Sequence, residues 1–311
     1  MTSNSLAALA ALAIACLFVP AAADASWSSD EIELCAEGGC QWYPSVVSDG
    51  LGGAIIVWQD YRAGNGDLYA QRVTSAGDPG WGAAGMAVCD DPGQQEFFRQ
   101  TISDGAGGVI VVWMDHRDGG TDVYAQRIDG AGNRAWAAGG VAVSNGATDD
   151  FFPLVAADGA GGAIVAWQVG QGDESVVCAS RILADGTPGW AGDVVVRGGG
   201  APRVPVMVPD GAGGAIVAWI EDGSGAGAIV AQRIDADGAA RWGGGVAVCV
   251  EGDVRSSFDA CGDGLGGAVF VWHDLRGGDY DIYAQRIDAA GAILWASGGL
   301  AVCQAANDQW F

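Results

Sequence analysis

Asp49-Gly50-Leu51-Gly52-Gly53-Ala54-Ile55-Ile56-Val57-Trp58 is a glycine turn followed by an apolar run, and the chain writes it five times. The turn aspartates are Asp49, Asp104, Asp158, Asp210 and Asp263, at successive spacings of 55, 54, 52 and 53 residues. Every copy continues in one order: an apolar run ending in Trp, an Ala-x-Arg segment, a Gly, and a second Trp four residues beyond that Gly. A period of this length marks a stack or ring of like units.

Alternation and punctuation divide each copy into four short strands. In the first copy they run from Ser45 to Ser48, Ala54 to Asp60, Leu68 to Val73 and Met86 to Cys89. The Asp-Gly-x-Gly-Gly hairpin supplies glycines for positive φ and a carboxylate for nearby amides. The second strand is apolar almost without interruption, which covers it on both faces. Four-stranded antiparallel units of about 53 residues, buried on both faces and repeated, give an all-β fold, a β-propeller with four-stranded blades. A β-helix has shorter coils, immunoglobulin-like domains need about 100 residues, and 53 glycines spread along the chain exclude helix. The repeats are placed at approximately 42–95, 96–149, 150–201, 202–254 and 255–308, within a region 24–311.

All thirteen tryptophans sit at repeat positions. Trp58, Trp113, Trp167, Trp219 and Trp272 end second strands, and Trp81, Trp136, Trp190, Trp242 and Trp295 follow the third-strand turn. Trp27 matches the second set, and Trp42 and Trp310 match each other. Each buried aromatic removes roughly 150–250 Å² from water, so the set is read as cement between blades. Cys35, Cys89, Cys249 and Cys303 are equivalent in phase, too far apart to bridge one another, and are read as small buried residues. Cys35 and Cys40 are near enough in sequence for a local disulfide.

Met1 to Ala23 carries an apolar stretch from Leu6 to Val19, then Pro20 and three alanines, the shape of a secretory signal peptide. The stretch falls short of the roughly 20 residues that span a bilayer, so the expected location is secreted or at the cell surface, with no membrane span after removal of the signal. The 38 acidic against 14 basic residues leave a net charge of −24. That field repels phosphate backbones and anionic lipid, which excludes nucleic acid as a partner.

Asp274-Leu275-Arg276, Asp281-Ile282-Tyr283-Ala284-Gln285-Arg286-Ile287-Asp288 and Trp295-Ala296-Ser297-Gly298-Gly299 resemble repeats of large exported bacterial propeller-like proteins. The resemblance covers Trp27 to Phe311 and implies the fold without implying a chemistry. Asp235-Ala236-Asp237-Gly238 before Trp242 is loosely similar to the Asp-box turns of sialidase-like propellers, but its Gly-to-Trp spacing differs, and no sialidase site is carried over.

The five copies serve as their own comparison. Arg72, Arg127, Arg181, Arg233 and Arg286 occur in all of them, as a structural residue does and a catalytic one does not. Their expected partner is the turn aspartate, which recurs as faithfully, whereas the Asp60-x-Arg62 pattern fails in the third copy at Val169. His116 and His273 stand at different phases, so no histidine cluster holds zinc, and no Gly-x-Ser-x-Gly elbow is present. No cofactor is expected; the weak exception is calcium in Gly64-Asn65-Gly66-Asp67, without the EF-hand spacing.

Departures from the repeat point to a ligand surface. Copies three and four replace the Asp-x-Arg loop with residues 168–174 and 221–225, so Gln168, Gln171, Asp173, Glu174, Glu221 and Asp222 are the candidate binding residues, expected side by side at one rim. The leading expectation is a non-catalytic exported propeller that binds or adheres to a glycan or protein. A carboxylate-dependent glycan hydrolase is the alternative, and a structural spacer of a surface protein a third. The segment Ile32 to Cys35 matches the end of a repeat and Trp310-Phe311 its beginning, so the reading includes an incomplete ring with an open seam.

Overall fold

In the computed structural model the described residues are 32–309, apart from 145, 173, 199–201, 223–226 and 250–257. The expected signal segment, Asp173 and the end of the 221–225 loop lie outside them. Twenty strands form five four-stranded antiparallel sheets. The first blade holds β1 (Gln41–Ser48), β2 (Ala54–Asp60), β3 (Asp67–Val73) and β4 (Met86–Cys89). The second holds β5 (Gln95–Ser103), β6 (Val109–Asp115), β7 (Asp122–Ile128) and β8 (Val141–Ala142). The third holds β9 (Asp150–Ala157), β10 (Ala163–Val169), β11 (Val176–Ile182) and β12 (Val194–Gly198). The fourth holds β13 (Arg203–Pro209), β14 (Ala215–Asp222), β15 (Gly227–Ile234) and β16 (Val246–Cys249). The fifth holds β17 (Phe258–Gly262), β18 (Ala268–Asp274), β19 (Asp281–Ile287) and β20 (Leu300–Cys303).

Within each blade the strands pair in chain order, and the first strands of successive blades pack on one another, so they lie innermost. The chain is a β-propeller array of four-stranded blades. Its core is layered between blades: Ile55, Val57, Leu68 and Ala70 of the first meet Val109, Val111 and Trp113 of the second, and like clusters follow at the next three junctions. The second strands are apolar on both faces because each face meets a different blade.

The recurrent charged residues build one latch. Each third-strand arginine reaches its own blade's turn aspartate at 2.8–2.9 Å, in the pairs Arg72–Asp49, Arg127–Asp104, Arg181–Asp158, Arg233–Asp210 and Arg286–Asp263. The same carboxylate caps its hairpin, as Asp158 does with the amides of Ala160 and Gly162. The other end of the guanidinium crosses to the next blade, where Arg181 Nη1 and Trp190 Nε1 both donate to the Ala236 carbonyl, at 3.0 and 2.8 Å. Gly130, Ala184 and Ala289 receive the equivalent arginine and tryptophan pairs. The turn glycine is required there, because a Cβ on Gly186 would lie 2.7 Å from the Trp136 ring. The glutamine of Ala-Gln-Arg holds that tryptophan's loop, with Gln126 Nε2 donating to Ala137 O and its Oε1 accepting from the Trp136 amide.

Three expectations need correction. Trp42 is half exposed and cements nothing between blades. Ile32 to Cys35 forms no strand, since no neighbouring strand offers it a ladder. Cys35 and Cys40 are free thiols, as are the other described cysteines.

Candidate functional site

The two ends of the blades differ. One rim carries the Asp-Gly hairpins and latches. The other carries the heads of the first strands and the hairpins between second and third strands, because Gln41 pairs with Asp60 and Asp150 with Val169. On this second rim, blades one, two and five share a construction. Asp60 accepts from Trp58 Nε1 at 2.8 Å and from Arg62 at 2.7 Å, the guanidinium lies 3.8 Å from the Tyr69 ring centroid, and it also donates to Cys35 Sγ. Asp115–Arg117 with Tyr124 and Cys89 repeats the arrangement, as does Asp274–Arg276 with Tyr283 and Cys249. Three of the four cysteines read as mere filling, Cys35, Cys89 and Cys249, are therefore arginine acceptors between blades. Burial would raise the Asp60 and Asp115 carboxyls, but the arginine and the indole outweigh it and hold both low.

Blades three and four depart from this. In blade four the arginine moves to the cysteine position of the preceding blade, and Arg197 bonds Glu221 at the acid position. In blade three Val169 removes the acid from the second strand, and a carboxylate enters from the first strand instead. Asp150 is buried at the head of β9, its amide donating to Thr121 O of blade two at 2.7 Å. Among the described residues no arginine pairs with it. Burial, with Asp122 and Asp193 nearby, pushes its carboxyl up to about 6 against the pull of Ser144 and Trp167.

Beside Asp150 stand Phe151 and Phe152. Phe152 takes φ +53°, at the phase where Tyr43 of blade one takes φ +52°. Both lie at bulges where the first strand slips register on the second. A non-glycine residue in this region is strained and marks a position held for another purpose. Tyr43, Phe152 and Trp42 are each about half exposed. In sequence the phase reads Trp42-Tyr43, Phe97-Phe98 and Phe151-Phe152 in three neighbouring blades, then Arg203-Val204 and Ser256-Ser257. The sequence reading missed this aromatic arc; the contrast between copies was the signal that shows it.

The residues expected to bind are placed as follows. Gln168 is buried, its amide spent on Gly170 O at 3.0 Å; Gln171 and Glu174 are exposed; Glu221 is held by Arg197. Asp222 ends β14, and Asp173 is not among the described residues. Both hairpins leave the same rim, the one that carries the aromatic arc. In the loop expected for calcium, Asn65 Nδ2 donates to Asp67 Oδ1 at 2.7 Å. Among the described residues no three His, Cys, Asp or Glu side chains stand together as metal ligands.

No family model matches the chain, and no curated protein matches it. Solved structures do. An ulvan lyase of family PL25 bound to -[GlcA(1-4)Rha3S]- has a TM-score of 0.53 at 11% identity, over 81% of this chain and 68% of that one. An α-L-arabinanase from Penicillium chrysogenum complexed with arabinobiose has a TM-score of 0.47 at 15% identity, over 78% and 77%. An endo-arabinase from Bacteroides thetaiotaomicron VPI-5482 has a TM-score of 0.43 at 11% identity, over 86% and 95%. At such identity the likeness to the lyase shows the fold alone. Among the described residues no helix is long and apolar enough to cross a membrane.

Proposed function

We propose that this chain is an exported propeller that acts on a neutral glycan held at the aromatic rim. One observation carries the reading: half-exposed aromatics are fixed at strained bulges on the innermost strands, beside a buried carboxyl that titrates near neutral pH. Aromatic faces offer sugars flat apolar area with a polar surround. The net charge of −24 disfavours an anionic polymer, so a neutral polysaccharide is preferred over a sulfated or uronic one. The lyase of the same fold is bound to a glycan, which supports a glycan ligand; that glycan, -[GlcA(1-4)Rha3S]-, is itself anionic, so the preference for a neutral polymer rests on the charge of this chain alone. Exposed Gln171 and Glu174 extend the surface at the next hairpin.

Hydrolysis is favoured over passive adhesion by Asp150. A carboxyl held near 6 can give and recover a proton at neutral pH, as a glycosidic acid must. Glu96, which heads the neighbouring strand β5 and pairs with His116 at 3.5 Å, is the second carboxylate to vary. The test is a panel of neutral and anionic glycans, read for both binding and released reducing ends. Tyr43→Ala and Phe152→Ala should each weaken binding about fivefold to tenfold, from a stacking contribution of about 1 kcal/mol. Asp150→Asn should leave binding intact and cut turnover by a factor on the order of 100 or more. Binding without turnover returns the chain to an adhesive module, and no binding to any glycan removes the proposal.

A further inference from the structure

The four inter-blade junctions are alike, and the two outer faces of the array are the separated halves of a fifth. On blade five, Val302 is 59% exposed, whereas Val88 at the same phase of blade one is fully buried under blade two. Trp295 is 37% exposed against 7% for Trp242, and its Nε1 meets no acceptor among the described residues. Arg286 keeps Asp263 but crosses to no carbonyl among the described residues. On blade one, Val46 is 66% exposed against 7% for Val155, and the Ser75 carbonyl, at the phase of Ala184 and Ala236, receives neither donor. One face thus presents the latch donors and the other the latch acceptor.

The face of blade one is not bare over its whole width. Arg62 donates to Cys35 Sγ at 3.0 Å, as Arg117 does to Cys89 and Arg276 to Cys249 at 3.4 and 3.5 Å. Ile32 Cδ1 lies 3.0 Å from where a Cβ on Gly77 would stand, the place taken by a preceding blade's tryptophan at Gly132 and Gly186. Ile32 to Cys35 therefore lies where the fourth strand of a preceding blade lies, and among the described residues no other strand of such a blade stands beside it. Between this segment and the sheet is a mainly apolar cavity of about 220 Å³, lined by Leu34, Cys35, Gln41, Pro44, Ile56 and Trp58. At the next junction the equivalents of Ile56 and Trp58, Val111 and Trp113, are covered by Ile55 and Val57 of the preceding blade.

We propose that this seam is a docking site for a three-stranded polypeptide segment of the same repeat, with Ile32 to Cys35, now unpaired, standing at its fourth-strand position. A whole blade from a second copy fits less well, because its own fourth strand would compete for the Arg62 contact. Continuity with four existing junctions sets the occupant's chemistry: a second strand apolar on both faces, an arginine paired to its turn aspartate, and a turn carbonyl for Trp295.

The test appends residues 44–85 of this chain, which contain no cysteine, after Phe311 of the full chain. Thiol labelling is then followed residue by residue by mass spectrometry. Cys35 and Cys303, both half-buried, should label at least tenfold more slowly in the extended chain, with exposed Cys40 and Cys261 unchanged as internal controls. Val302→Asp, at an exposed position, should leave the unextended chain folded and restore Cys303 labelling in the extended one. Unchanged labelling of Cys303 on extension overturns the proposal. So does a monomeric unextended chain in which Cys303 labels as slowly as buried Cys89, since its seam is then shut on itself. Protection that grows with protein concentration and a dimer mass in sedimentation would assign the seam to a second copy instead.

Discussion

Arg181→Ala tests the latch at its most informative place, because blade three has lost every other acid the arginine had as a candidate partner. In the native chain the fully buried Asp158 carboxylate accepts from Arg181 Nε and Nη2 at 3.1 and 2.8 Å, and from the amides of Ala160 and Gly162. Breaking a buried pair costs about 3–5 kcal/mol, because the remaining charge is left without its counterion. Two features place this case at the low end: the two amides remain, and the guanidinium is partly exposed, so water can enter the vacated space. The expected loss is about 3 kcal/mol. With a urea slope of about 3 kcal/mol per molar for a chain of this size, the midpoint falls by about 1 M. Arg241→Ala removes a half-exposed arginine from Asp235 and should cost less than about 1 kcal/mol. Because Trp190 Nε1 shares the Ala236 carbonyl, Trp190→Phe together with Arg181→Ala should lose more than the sum of the two, the carbonyl then having no donor. An Arg181→Ala midpoint within about 0.3 M of the native one, or strict additivity with Trp190→Phe, would refute the shared-acceptor reasoning.

Three further outcomes follow from single positions. Gly140 takes φ +86°, and a Cβ there would lie 2.6 Å from Trp113 Cη2 and 2.9 Å from the Ala125 carbonyl, so Gly140→Ala should lower stability by about 2–4 kcal/mol. Gly105→Ala, with φ +74° and open space, should cost only about 1 kcal/mol, both losses being read from the urea midpoint. Asp150 binds its proton more tightly folded than unfolded, so between about pH 4 and pH 6 the folded state holds a proton the unfolded state has released, and stability falls as pH rises. Asp150→Asn should remove that slope and raise stability at pH 7 by at most about 3 kcal/mol; a native chain equally stable at pH 4.5 and pH 6.5 with respect to this variant contradicts the assignment.

The fold was legible because its instructions are repeated. Asp49, the three glycines behind it, Trp58, Arg72 and Trp81 form one set of contacts that each blade makes with the next, and any position bound by that set recurs five times. The pairing of Arg181 with Asp158 could be read by elimination, since only the turn aspartate persisted alongside the arginine. Strand ends were less legible: β1 begins at Gln41 and not Ser45, because the bulge at Tyr43 interrupts the alternation that marks a strand. The site was only partly legible. Comparing copies found the loops at Gln168 and Glu221, but attention to charged departures passed over the aromatic pairs, whose loss in copies four and five is equally visible. Asp150 was hidden for another reason. Its raised pKa arises from burial and from the neighbouring carboxylates Asp122 and Asp193, which only the folded chain brings near it.

The two rims explain why departures concentrate where they do. At the latch rim a change in one blade breaks a contact in the next, because one carbonyl serves both Arg181 and Trp190, so every copy stays alike. At the other rim the arginine acts mainly within its own blade, stacked on its own tyrosine and paired to its own aspartate, and its loss can be repaired locally. Blade four shows such a repair, with Arg197 supplied from the preceding strand to meet Glu221. Blade three shows a different result: the acid is restored, as Asp150, but no cation comes with it. Random drift that merely kept the fold would do better with an apolar residue there, since a buried carboxylate without a counterion destabilises the folded state at neutral pH. The same rim keeps the exposed aromatics Tyr43 and Phe152 at positive φ. The cost falls on blade three, where the buried carboxyl of Asp150 directly precedes Phe151 and Phe152.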